Sequence, residues 1–171
     1  MHAYREETLL LRHTLILITL LFTTSAVAAD VVNFKTVSLE LARDLAQAAV
    51  DACRASGYQV AAIVVSRNGD PQVMLRDSMA PRYTMQIARE KAEAVILSGV
   101  ASSEFRRNRQ DIRMEMNHVK GILVLEGGLP IRAGGSLLGA IGVSGAPGGE
   151  RDEACAQAAL NKLQERLEFA E

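Results

Sequence analysis

Nine of the chain's 13 glycines fall between residues 127 and 149, within the stretch GGLPIRAGGSLLGAIGVSGAPGGERDEACAQAAL (residues 127–160). Glycine is the poorest helix former short of proline. Such a density excludes a helix and leaves strands and tight turns until the pattern changes at Glu150. Two phosphate-binding readings fail on spacing. A dinucleotide fingerprint needs Gly-x-Gly-x-x-Gly between a strand and the helix it feeds, whereas Gly139, Gly142 and Gly145 stand three apart, within and after a strand. A P-loop needs Gly-Lys followed by Ser or Thr, and that sequence is missing here. SGAPGGERDE does enter a helix, and backbone amides at a helix start favour anions. Asp152 and Glu153 in the first turn already complement that dipole as capping charges and would repel a phosphate. The glycines therefore read as a sheet-building hairpin. Gly127 and Gly128 precede one strand, Gly134 and Gly135 form its turn, and Gly139 and Gly142 let something pack closely on the next.

The N-terminus sets the compartment. Arg5 and Arg12 lead into the apolar run LILITLLF, and TTSAVAAD follows, with Ala26 and Ala28 at the small-residue positions of a cleavage site. This is the pattern of a secretory signal peptide over residues 1–28. The apolar run is far shorter than the roughly 20 residues of a membrane span. Residues 29–171 then form a single domain, periplasmic or secreted, with no membrane span after cleavage. The chain carries 19 Lys and Arg against 20 Asp and Glu. That balance gives no electrostatic case for nucleic acid or an anionic membrane, and leaves a small molecule or another protein as partner. Cys53 and Cys155 lie in a compartment that permits disulfides. Antiparallel packing of the first and last helices would bring the two within reach of a disulfide; two buried free thiols are the equal alternative.

Hydrophobic spacing supplies the elements. SLELARDLAQAAVDACRASG places Leu41, Leu45, Ala48, Ala49 and Ala52 on one helical face, with Ser38 as N-cap and Gly57 as stop. YQVAAIVVSRNGDPQVMLRD reads as two strands joined by an Asn-Gly turn; the first, continuous in Ala, Ile and Val, is expected to be buried on both faces. APRYTMQIAREKAEAVILSG returns to helical period, with Met85, Ala88, Ala92 and Val95 or Ile96 in one stripe. A short helix is expected from Ser102 to about Arg109, then a charged loop, three short strands within residues 122–145, and a closing helix in ERDEACAQAALNKLQERLEF. The order αββααβββα implies an α/β fold: an α-β-α sandwich around a central antiparallel five-stranded sheet.

GGLPIRAGGSLLGAIGVSGA followed by ERDEACAQAAL resembles the C-terminal signature of the GlcG/HbpS family. LELARDLAQAAVDAC, VSRNGDPQVMLR and IAREKAEAV, with its Ala-x-x-Lys-Ala pattern, extend the resemblance over residues 29–171. It implies a profilin-like fold, homo-oligomers, and haem binding as found in several members. The first helix offers Cys53 but no histidine where haem-binding relatives use one, so ligation does not transfer by alignment.

Haem iron takes His, Met, Cys thiolate or tyrosinate, and beyond the signal segment the sole histidine is His118, in MEMNHVKG. It is the candidate iron ligand, with Tyr83 and Met85 as alternatives; Met85 also fits the core stripe. Arg76, Arg82, Arg106, Arg107, Arg109 and Arg113 are candidates for haem propionates, which suit a bidentate guanidinium, or else they form a solvated face. Enzyme chemistry has less support. There is no Gly-x-Ser-x-Gly elbow, Cys-x-x-Cys or His-x-x-x-His, and Ser144 lies in VSGA. Lys91 is either a buried functional amine or a snorkelling side chain. The expectation is an exported protein that binds, stores or senses haem. A haem-degrading or other small-molecule enzyme is the first alternative. The second is a non-haem oligomeric module partnering a sensor or metabolic system.

Overall fold

In the computed structural model, residues 32–169 are described; the signal segment expected over residues 1–28 lies outside them. Ser38 opens helix α1 (Leu39–Ala55), its hydroxyl accepting the Leu41 N–H at 3.3 Å. Gly57 closes it by donating its N–H to the Arg54 carbonyl at 2.8 Å. Strands β1 (Ala61–Ser66) and β2 (Pro71–Arg76) follow, joined by the Asn68-Gly69 turn. Next come helices α2 (Thr84–Ser98), α3 (Ser102–Asn108) and the single turn α4 (Arg113–Met116). Strands β3 (Gly128–Ala133) and β4 (Ser136–Ser144) precede helices α5 (Gly149–Lys162) and α6 (Gln164–Glu168).

Every pairing in the sheet is antiparallel, in the order β2-β1-β4-β3. Ala61 stands opposite Arg76 on one side and Ser144 on the other, and Leu129 opposite Ile141. Alternation along β1 builds two cores at once. Ala62 and Val64 join Leu45, Ala49, Ala156 and Ala159 of α1 and α5. Ile63 and Val65 join Ala88, Ala92 and Val95 of α2. A strand buried on both faces between helical layers makes the α-β-α sandwich.

The sheet has four strands where five were expected. Residues 122–126 run without a ladder. Val124 is buried against Ala94 and Phe105, and the Leu123 N–H donates to the Glu90 carbonyl of α2 at 3.2 Å. The edge of β3 is closed to a further strand. Because Gly127 pairs with Val143, Gly128 faces off the sheet; its N–H is taken by the Ser102 hydroxyl at 2.9 Å, and Pro130 has no N–H to offer.

What packs closely on β4 is α2. A Cβ at Gly142 would overlap the Ala88 carbonyl oxygen and stand 3.1 Å from the Ala92 methyl. Gly142→Ala is expected to reduce stability by about 1–3 kcal/mol through overpacking, read as a lower urea midpoint at unchanged slope. A midpoint equal to the parent's would overturn this close approach.

Cys53, at the end of α1, and Cys155, in α5, are joined by a disulfide with 5.4 Å between Cα atoms. The helices it links also pack on each other through Leu45, Ala49, Ala156 and Ala159.

Candidate functional site

At one end of the sheet a polar cluster is sealed inside the protein. Lys91 of α2 is 1% exposed, and Asp152 of α5 is 3% exposed. The Lys91 Nζ donates to Asp152 Oδ2 at 2.7 Å and to the Val143 carbonyl at 2.9 Å. Asp152 Oδ1 accepts the Ala146 N–H at 2.9 Å. Glu153 accepts the Ser103 hydroxyl at 2.8 Å and the Gly127 N–H at 3.4 Å. Only glycine fits at 127: its φ is +119°, and a Cβ would lie 2.8 Å from the Lys91 Nζ, the Asp152 Cβ and the Val143 oxygen alike. Burial pushes the Lys91 ammonium down and the Asp152 carboxyl up, and the opposite charge of each partner resists the shift. Lys91 therefore does not snorkel, and Asp152 and Glu153 do more than cap α5. The pair clips α2 to α5, one helical layer to the other, past the end of the sheet. Neither residue lines any of the three clefts described next.

The cleft with the character of a ligand site lies at the far end of α2. It has a volume of about 530 Å³ and is lined by Leu97, Ser98, Val100, Phe105, Asn108, Arg109, Ile112 and Met116. Gly99 ends α2, and the chain turns into α3 and α4, whose apolar side chains face back toward it. Phe105 is anchored from below by Ala94 and Val124. Arg109, the C-cap of α3, donates Nε to Asp111 Oδ1 at 3.1 Å and Nη2 to Asp111 Oδ2 at 3.2 Å. That contact raises the Arg109 pKa and holds the Asp111 carboxyl below its ordinary value. Arg106 stands 3.8 Å from Glu126, while Arg107 and Arg113 enter no ion pair among the described residues. Two smaller clefts, of about 350 and 280 Å³, lie between β3 and the last two helices, with Arg132, Gln157 and Glu168 in the lining, and beside the disulfide, with Tyr58 and Arg151 in the lining.

Residues 37–161, most of the chain, match the family model described as "Haem degrading protein HbpS-like". The chain belongs to the HbpS-like family. Crystal structures of HbpS, including a double mutant of the Streptomyces reticuli protein, share 32% identity with it at a TM-score of 0.74. The alignment with that double mutant covers 82% of this chain and 95% of the other. The crystal structure of a PduOC:heme complex is 25% identical over 74% of this chain and 94% of its own, with a TM-score of 0.68. Klebsiella pneumoniae ORFY shares the fold at 24% identity and a TM-score of 0.75, over 81% of this chain and 98% of its own. No curated protein matches the chain by sequence.

In this HbpS-like chain the candidate iron ligands and their nearest arginines do not come together in one place. His118 is exposed in the turn after α4, its N–H donating to the Glu115 carbonyl at 3.0 Å. It stands two residues from Met116, which lines the cleft. Arg76, Arg82, Tyr83 and Met85 gather at the connection into α2. There the Arg82 guanidinium lies 4.6 Å from the centroid of the Tyr83 ring, and Arg76 donates to the Ala80 carbonyl. Tyr83 is 61% exposed and Met85 half-buried. No hydrogen bond, ion pair or hydrophobic cluster among the described residues joins these to His118. Of the cleft lining, Arg109 was legible in the sequence and the apolar residues were not. Their signal was present: Phe105, Ile112 and Met116 follow one another at intervals of seven and four through the charged segment, a helical spacing obscured by the surrounding arginines.

Proposed function

We propose that this is an exported haem-binding protein that holds haem in the cleft between α2, α3 and α4, for binding, storage or sensing. The observation carrying this reading is the cleft itself: an apolar lining, a thioether donor in Met116, an imidazole in His118 two residues on along the chain, and the Arg109 guanidinium in the lining. Those residues fit the group, because haem joins a flat apolar body and two carboxylates to an iron that accepts His or Met. Bound haem would supply an iron centre for ligand or electron chemistry. The chain's part is to exclude water with Leu97, Val100, Phe105 and Ile112 and to offer Met116 or His118 to the metal. The PduOC:heme complex, of similar fold, supports the reading. Export rests on the N-terminal pattern, and a homo-oligomer and association with a sensor or metabolic partner protein belong to the same proposal.

Titrating the purified protein with hemin is expected to give a Soret shift that saturates near one haem per chain, altered in His118→Ala or Met116→Ala. No shift would overturn the reading. A spectrum changed by Tyr83→Phe and untouched by both cleft substitutions would move the site to the other end of α2. Adding a reductant distinguishes a binder, whose Soret band persists, from a haem-degrading enzyme, whose band decays.

A further inference from the structure

Arg109 is the one charged residue lining the cleft, and it is already oriented. A guanidinium carries five N–H donors and can present two forks. Asp111 occupies the side-on fork, through Nε and Nη2 at 3.1 and 3.2 Å. The end-on fork, formed by Nη1 and the second Nη2 hydrogen, is left to another acceptor. The backbone assists, since Arg109 is held at the end of α3 by its own N–H, which donates to the Phe105 carbonyl at 3.0 Å. An arginine fixed on one fork loses less freedom when the second fork binds. Nearby Arg107 and Arg113 have neither such a brace nor a place in the lining.

We propose that Arg109 is the specificity-determining residue of this cleft, selecting ligands that pair a flat apolar body with a carboxylate, and that Asp111 is its positioning residue. The proposal rests on the cleft being the ligand site. The apolar wall takes the body of the ligand, and the open fork takes one carboxylate at the lip. Because the Arg109 and Asp111 side chains are 48% and 62% exposed, the preference weakens as salt rises.

Protoporphyrin IX and its dimethyl ester test this without involving iron ligation, their fluorescence reporting binding to the full chain. The wild type is expected to favour the diacid by about tenfold, the scale of one charge-assisted hydrogen-bonded contact at a half-exposed site. Arg109→Gln should remove that preference, lowering diacid affinity about tenfold more than ester affinity. Arg109→Lys should restore only part of it, having charge without the fork. Asp111→Asn should lower diacid affinity relative to ester affinity by a smaller factor. Equal loss for both ligands in Arg109→Gln would assign Arg109 a merely structural role, and an unchanged preference would assign selection elsewhere; either overturns the proposal while the cleft reading stands. Failure of the wild type to bind either porphyrin would instead overturn the cleft reading, and this proposal with it.

Discussion

Lys91→Met is expected to lower the unfolding free energy by about 3–5 kcal/mol, the range found when one member of a buried ion pair is removed. Asp152 would be left 3% exposed with the Ala146 N–H as its remaining partner. Asp152→Asn should be comparably damaging, stranding an ammonium that is 1% exposed. The two variants are distinguished by the sign of their pH dependence. Burial raises the Asp152 pKa and lowers that of Lys91, and each partner's charge opposes the other's shift; removing a partner lets the survivor's shift grow. In Lys91→Met the folded state binds a proton at Asp152 more tightly than the unfolded chain, so stability is retained at acid pH and lost as pH rises through the raised pKa. In Asp152→Asn the folded state releases the Lys91 proton more readily, so stability is lost as pH falls through the lowered pKa. Urea midpoints across pH should therefore slope in opposite directions. Lys91→Met/Asp152→Leu should recover most of the loss, because an apolar pair pays no ionic desolvation. Parallel slopes, or a double variant as weak as the singles, would contradict a buried ionic clip.

That clip also shows where sequence reading runs out. The period of α1, the Asn68-Gly69 hairpin and the doubly buried β1 were legible because each rests on residues a few positions apart. The Lys91–Asp152 contact spans 61 residues, and no local pattern separates a lysine that snorkels from one sealed in the core. Gly127, Lys91 and Asp152 make physical sense together, since the glycine leaves the space the ammonium and the carboxylate share. Residues 122–126 misled for the opposite reason. ILVLE has the composition of a strand, yet a strand needs a free edge, and the β3 edge is closed by Ser102 and Pro130. The cleft was half legible: Arg109 stood out as chemistry, while the apolar wall of Phe105, Ile112 and Met116 beside it was hidden among charges.

Loss of the Cys53–Cys155 bond is the other large expected effect. The bond closes a loop with a sequence separation of 102, and for a loop of about 100 residues chain entropy alone gives roughly 4.7 kcal/mol, with measured losses of about 2–5 kcal/mol. Against a typical total stability of about 5–15 kcal/mol, Cys53→Ala/Cys155→Ala should be a severely weakened protein that still folds, because Leu45, Ala49, Ala156 and Ala159 hold α1 against α5 without it. With Cys53 fully buried and Cys155 5% exposed, a mild thiol reductant should leave the native bond intact and act only once the chain opens. The denatured state should carry the larger share of the effect. Freed of the cross-link, the unfolded chain expands and exposes more surface, so the urea slope of the double alanine variant should rise as its midpoint falls. A lower midpoint at unchanged slope would place the bond's contribution in the packing of α1 on α5. An unchanged midpoint would mean that the two helices hold the fold without it.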